Sequence, residues 1–135
     1  MIQRHALAVG ETGCYFLSIL KLAEFYIGDT IDPIRAYEAC MKKGWIDEEC
    51  FVENAGAIMT AYAGGRWTAR HDVMEYVPTG TELEIIRYEW KKTMATLSHF
   101  VVGDGSGCLG WDPYGNSETV RNGVPVSKRI FRRVA

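Results

Sequence analysis

Residues 14–27, CYFLSILKLAEFYI, are apolar nearly all round, with polar side chains only at Ser18, Lys21 and Glu24. A helix of that character has no face suited to water and must be covered on most sides. Gly28 supplies its stop. A second helix has both boundaries written in it: Asp32 as cap, Pro33 in the first helical position, and Gly44 beyond the last turn of IRAYEACMKK. A third is expected from about Asn54 to Ala63, where Gly64 and Gly65 break it. Strand signals then take over in RWTAR, TELEIIRYEWK, HFVV and SKRIFRRV, the last introduced by an Asn122-Gly123 turn. Helices first and strands later give an α+β expectation, with the helical half laid against an antiparallel sheet in one domain over residues 1–135.

At 135 residues the chain is long enough to bury a core without staples, and 47% apolar with 24% charged residues is ordinary for a globular protein. A net charge of −2 gives no reason to expect nucleic acid as a partner. The start, MIQRHALAVGETG, does not read as a signal peptide, and no apolar run reaches membrane-spanning length. Four cysteines, at 14, 40, 50 and 108, are too scattered for a zinc site and are expected to be reduced. These features point to the cytoplasm and away from a membrane.

The stretch HFVVGDGSGCLGWDP, residues 99–113, reads as a hairpin. With Gly105 and Ser106 as a two-residue turn, Phe100 pairs with Trp111, Val102 with Leu109, and His99 with Asp112. Residues directly opposite share a face with Cβ atoms roughly 4.5–5.5 Å apart, so an imidazole–carboxylate hydrogen bond is expected between His99 and Asp112. By the same count Cys108 falls on the His99 side, either lining a cleft or buried there.

In GETGCYFLSIL, Thr12 is placed to cap and Cys14 falls among the first residues of the buried helix. Unpaired backbone N–H groups and the positive end of the helix dipole favour thiolate there. A cysteine nucleophile also needs a base and a group that orients the base, and His99 with Asp112 meets that need. A buried structural cysteine beside a structural histidine is the competing reading.

At these residues the chain resembles small papain-like cysteine peptidases, most of all the bacteriocin leader-processing (double-glycine) type, through GCYFLSIL, SHFVV and GWDPYG. It is also similar to uncharacterised phage and spirochaete proteins with a GCYF start. The resemblance implies a papain-like fold and a thiol hydrolase acting on an amide bond of a peptide or protein substrate, with no cofactor or metal. Cys14 would be the nucleophile, His99 the general base and acid, and Asp112 the orienter. Such enzymes usually carry an oxyanion-donating glutamine about six residues before the cysteine, where this chain has Ala8. The hole then uses Gln3 with the Cys14 backbone N–H, or it is incomplete. Two alternatives stay open: a catalytically silent papain-like binding or inhibitory module, and a peptidoglycan endopeptidase or amidase.

His5 and His71 show no partner pattern. Asp47, Glu48, Glu49 and Glu53 read as a solvated acidic patch, and Cys40 and Cys50 as part of the helical layer. Lys128, Arg129, Arg132 and Arg133 make the last strand basic, as suits an edge strand that resists aggregation.

Overall fold

The computed structural model describes residues 12–135. Helix α1, Cys14–Ile27, is followed by α2, Pro33–Lys42, and α3, Ala55–Ala63. Then come strands β1, Trp67–Asp72, β2, Leu83–Lys91, β3, Thr96–Gly103, and β4, Leu109–Trp111. A short helix α4, Glu118–Asn122, precedes β5, Val124–Arg133. The architecture is α+β: the five strands form one sheet in the order β1-β5-β2-β3-β4, and every pairing is antiparallel.

Local chemistry sets most helix ends where the sequence places them. Gly28 closes α1 in the left-handed conformation, φ 70°, with its N–H on the Glu24 carbonyl. Asp32 caps α2 by accepting from the backbone N–H of Ile34 at 2.9 Å and of Arg35 at 3.4 Å, and Asn54 caps α3 through the Ala57 N–H at 3.1 Å. Two local expectations fail. Thr12 does not cap α1; the N-cap is Gly13 without a side-chain bond, and the Thr12 hydroxyl donates instead to the Glu49 carbonyl. The segment before Gly123 is more than a turn: Ser117 accepts from the Val120 N–H and starts α4.

As its composition demands, α1 is covered. Phe16, Ile19, Leu20 and Ala23 pack into a core shared with Tyr37 and Cys40 of α2, Ile58 and Met59 of α3, and Ile85, Val102 and Phe131 of the sheet. A Cβ on Gly56 would lie 3.0 Å from the Trp67 carbonyl oxygen, so α3 rests directly on the backbone of β1. The opposite sheet face carries a smaller cluster of Ile86, Tyr88 and Val101, with Met74 and Val120 against it.

The basic last strand is not an edge strand: β5 lies between β1 and β2. Arg132 and Arg133 reach solvent, but Lys128 and Arg129 are buried. Lys128 Nζ lies 2.7 Å from Glu84 Oε1 and donates to the Tyr76 carbonyl at 2.7 Å. Buried charge is tolerated only when paired and hydrogen-bonded, and this pair meets both conditions.

The same Glu84 explains why the hairpin register differs from the sequence count. Its Oε2 accepts from the backbone N–H groups of Gly105 at 2.9 Å and Gly107 at 3.0 Å, two glycines with φ of 90° and 88°. Asp104 Oδ1 accepts from Ser106 at 2.8 Å and from the Cys108 N–H at 3.2 Å. The loop therefore closes from Asp104 N–H to the Cys108 carbonyl, 2.9 Å, instead of making a two-residue turn on Gly105 and Ser106. Val102 pairs with Trp111 and Gly103 with Leu109, with an irregularity between them. Phe100 thus does not face Trp111, nor Val102 Leu109. Asp112 lies just past the end of β4 and is not a strand partner of His99.

Candidate active site

Cys14 is the first residue of α1 and is partly exposed. Burial pushes its thiol up, against the backbones of Phe100, Tyr15 and Cys14 itself, whose hydrogen bonds favour thiolate; the Asp112 charge adds to the rise. The helix-start donors expected from the sequence are there, but desolvation outweighs them. The balance therefore favours thiol over thiolate.

His99 lies on β3 opposite Tyr88 of β2. Its ring stacks on Tyr114, centroids 4.6 Å apart, and its Nε2 is 2.7 Å from Asp112 Oδ1. The contact expected from the hairpin count is therefore present, reached by another route. After β4 the chain turns at Asp112, whose Oδ1 accepts from the Tyr114 N–H at 2.9 Å and whose Oδ2 accepts from the Ser117 N–H at 3.1 Å. Burial alone would raise this carboxyl, but hydrogen bonds from His99, Tyr114 and Ser117 hold it below its usual value. An ionised Asp112 can only accept, so the proton of the neutral imidazole sits on Nε2 and Nδ1 is the basic nitrogen.

Cys14 and His99 line one cleft of about 670 Å³, with Asp112 behind the imidazole. Phe51, Trp90, Leu97 and Tyr114 make much of its wall apolar. No hydrogen bond joins the Cys14 thiol to the His99 ring; catalytic contacts are often loose before substrate binds and tighten in the complex. A more open depression of about 710 Å³, between α3 and β1, holds none of the three residues.

Gln3, with Ala8 and His5, lies outside the described residues. Cys108 is exposed and does not line the cleft. Cys40 and Cys50 are buried as expected; Cys50 reaches the cleft wall, and burial raises its thiol to about 12. The acidic stretch has a structural task, since Asp47 Oδ1 accepts from the Glu49 and Phe51 N–H groups. His71 also lines the cleft; burial and the nearby Arg129 and Arg87 lower its pKa.

Ser117, Tyr114 and Arg129 are site residues that sequence reasoning missed. A serine before Glu118 was a readable cap signal. Nothing local could have taken Tyr114 to the His99 ring or Arg129 to the cleft floor. Among the described residues no group of three His, Cys, Asp or Glu side chains is placed to hold a metal ion, and no helix is long and apolar enough to cross a membrane.

The fold and site together define an α+β protein with a helix-borne cysteine and a buried histidine–aspartate pair on one cleft. The chain belongs to DUF261, a family described as proteins of unknown function, through a match over residues 3–133. No curated protein and no solved structure matches it.

Proposed function

We propose that the protein is a cysteine-dependent amide hydrolase of papain-like type, acting on a peptide or protein in the reducing cytoplasm. The observation that carries this reading is the His99–Asp112 pair: a carboxylate held ionised by three donors engages Nε2 and leaves Nδ1 as the free nitrogen of a ring lining a cleft that also holds a helix-start cysteine.

Because burial keeps Cys14 protonated, its proton passes to His99 Nδ1 as the sulfur attacks the carbonyl carbon. Asp112 stabilises the imidazolium that forms. The backbone N–H of Cys14 would serve as one oxyanion donor, with Gln3 as the expected second. Collapse of the intermediate breaks the C–N bond, the imidazolium gives its proton to the departing amine, and water activated by His99 then hydrolyses the thioester.

The test is hydrolysis of a fluorogenic peptide library by the intact protein and by Cys14→Ala and His99→Ala, alongside adduct formation with a peptidyl vinyl sulfone. Cleavage lost in both variants, with the adduct on Cys14, supports the reading. A second reading, a silent binding module, is favoured by the raised thiol and by the missing Cys14–His99 hydrogen bond. Absence of both cleavage and adduct would select it.

A further inference from the structure

Arg129 is a buried cation with no counter-charge among the described residues. It projects from the interior strand β5, is 8% exposed, and lines the same cleft as Cys14 and His99. Its Nη1 is spent on its own strand, donating to Ser127 Oγ at 3.0 Å and to the Lys128 carbonyl at 3.2 Å. Its Nε is buried with no acceptor, and Nη2 donates to no described group. No carboxylate pairs with it among the described residues. Nearby Arg87 is engaged by Glu89 at 3.2 Å and Ser98 at 2.7 Å and only adds positive charge. Burial, with the repulsion from Arg87, pulls the Arg129 pKa down. The other buried cation, Lys128, has Glu84; Arg129 has the face of Phe100, 5.3 Å from its guanidinium carbon.

A desolvated, unpaired guanidinium is a standing cost that makes sense where a ligand brings the missing charge. The free edge is the Nε–Nη2 side, whose two parallel N–H groups match the two oxygens of a carboxylate. Phe100 ties this edge to the candidate nucleophile, because its backbone acts on the Cys14 thiol while its ring lies under the guanidinium. Glu118, the one carboxylate on the cleft wall among the described residues, makes no ion pair with Arg129.

We propose that Arg129 is an anion receptor in the Cys14 cleft, taking a planar carboxylate of the bound peptide side-on through Nε and Nη2. The inference deepens the hydrolase reading by naming a substrate class, peptides with an acidic group close to the scissile bond. That group is either an Asp or Glu side chain or a free C-terminal carboxylate.

The experiment is an NMR titration of the Cys14→Ala protein, following the Arg129 Nε–H signal, assigned through its loss in Arg129→Lys or by backbone-linked assignment. The probes are N-acetyl-glycylglycine against its amide, and N-acetylglutamate α-amide against N-acetylglutamine α-amide. A carboxylate probe is expected to shift the Nε–H signal and to bind on the order of tenfold or more tighter than its amide isostere. Which acid prevails assigns the side chain or the chain terminus. Arg129→Lys is expected to erase the preference, because a point charge cannot make the fork. If that variant does not fold, the acid–amide comparison in Cys14→Ala decides alone. An unmoved Arg129 signal, or equal affinity for acids and amides, overturns the proposal. Carboxylate binding at Arg129 by a protein that cleaves no peptide would overturn only the hydrolase reading.

Discussion

Glu84 and Lys128 form an ion pair, Nζ to Oε1 at 2.7 Å, on neighbouring strands with side chains 0% and 1% exposed. The pair lies beneath the loop that leads from the histidine strand toward Asp112, and the second oxygen of Glu84 holds Gly105 and Gly107. Removing one partner of a buried pair leaves the other charge stranded. Glu84→Gln or Lys128→Met is therefore expected to cost about 3–5 kcal/mol, read by urea unfolding. Glu84→Leu combined with Lys128→Met removes the stranded charge but leaves two glycine N–H groups without an acceptor, so it should recover only part of the loss. Full recovery would show that the loop does not depend on Glu84.

Asp112→Asn separates charge from geometry. The amide oxygen still accepts from His99 Nε2, but the amide nitrogen must then face the Ser117 N–H, donor against donor. The expected result is a stability loss of about 1–3 kcal/mol and a smaller loss of peptide hydrolysis than His99→Ala causes, since the base remains. Equal effects of the two substitutions on turnover would mean that the carboxylate does more than orient the ring and stabilise the imidazolium.

Acid should loosen the fold through carboxylates whose donors hold them ionised, Asp112 and Glu82 among them. Asp112 is held below its ordinary value by its donors, and hydrogen bonds from Tyr76, Thr79 and Arg70 bring Glu82 down to about 2. A carboxyl whose folded value lies below its unfolded one stabilises the fold above the unfolded value. That contribution fades as pH falls through the folded value. Stability is thus expected to decline from about pH 4.5 toward pH 2. Glu82→Gln should be less stable than the parent above that window and equal to it below, in urea unfolding at a series of pH values.

Thiol reactivity should divide by exposure. Cys108 is exposed, whereas Cys40 and Cys50 are buried and the Cys14 thiol is pushed up by burial. Brief iodoacetamide treatment at neutral pH is expected to label Cys108 first, although the helix start favours thiolate at Cys14. In Cys108→Ser the remaining fast labelling should fall on Cys14 and slow in His99→Ala, as read by mass spectrometry. Labelling of Cys14 indifferent to His99 would deny the imidazole its role as base.

The sequence by itself determined what short-range chemistry controls. Asp32, Asn54, Gly28 and Gly64 terminate helices through groups a few residues away, and the apolar run from Cys14 to Ile27 demanded cover whatever supplied it. His99 and Asp112 were legible as a pair because they flank one hairpin, and a carboxylate just beyond a short strand can still reach the ring when the register slips. Tertiary structure decided what depends on partners far along the chain. Glu84, about twenty residues before the loop, overrode the two-residue turn and sent Cys108 to solvent. The position of β5 between β1 and β2 turned a strand with edge-like charge into an interior one, burying Lys128 against Glu84 and leaving Arg129, in the Cys14 cleft, with no carboxylate partner among the described residues. Strand order and long-range ion pairing arise from closing the whole sheet around the helix, and no local pattern of residues encodes them.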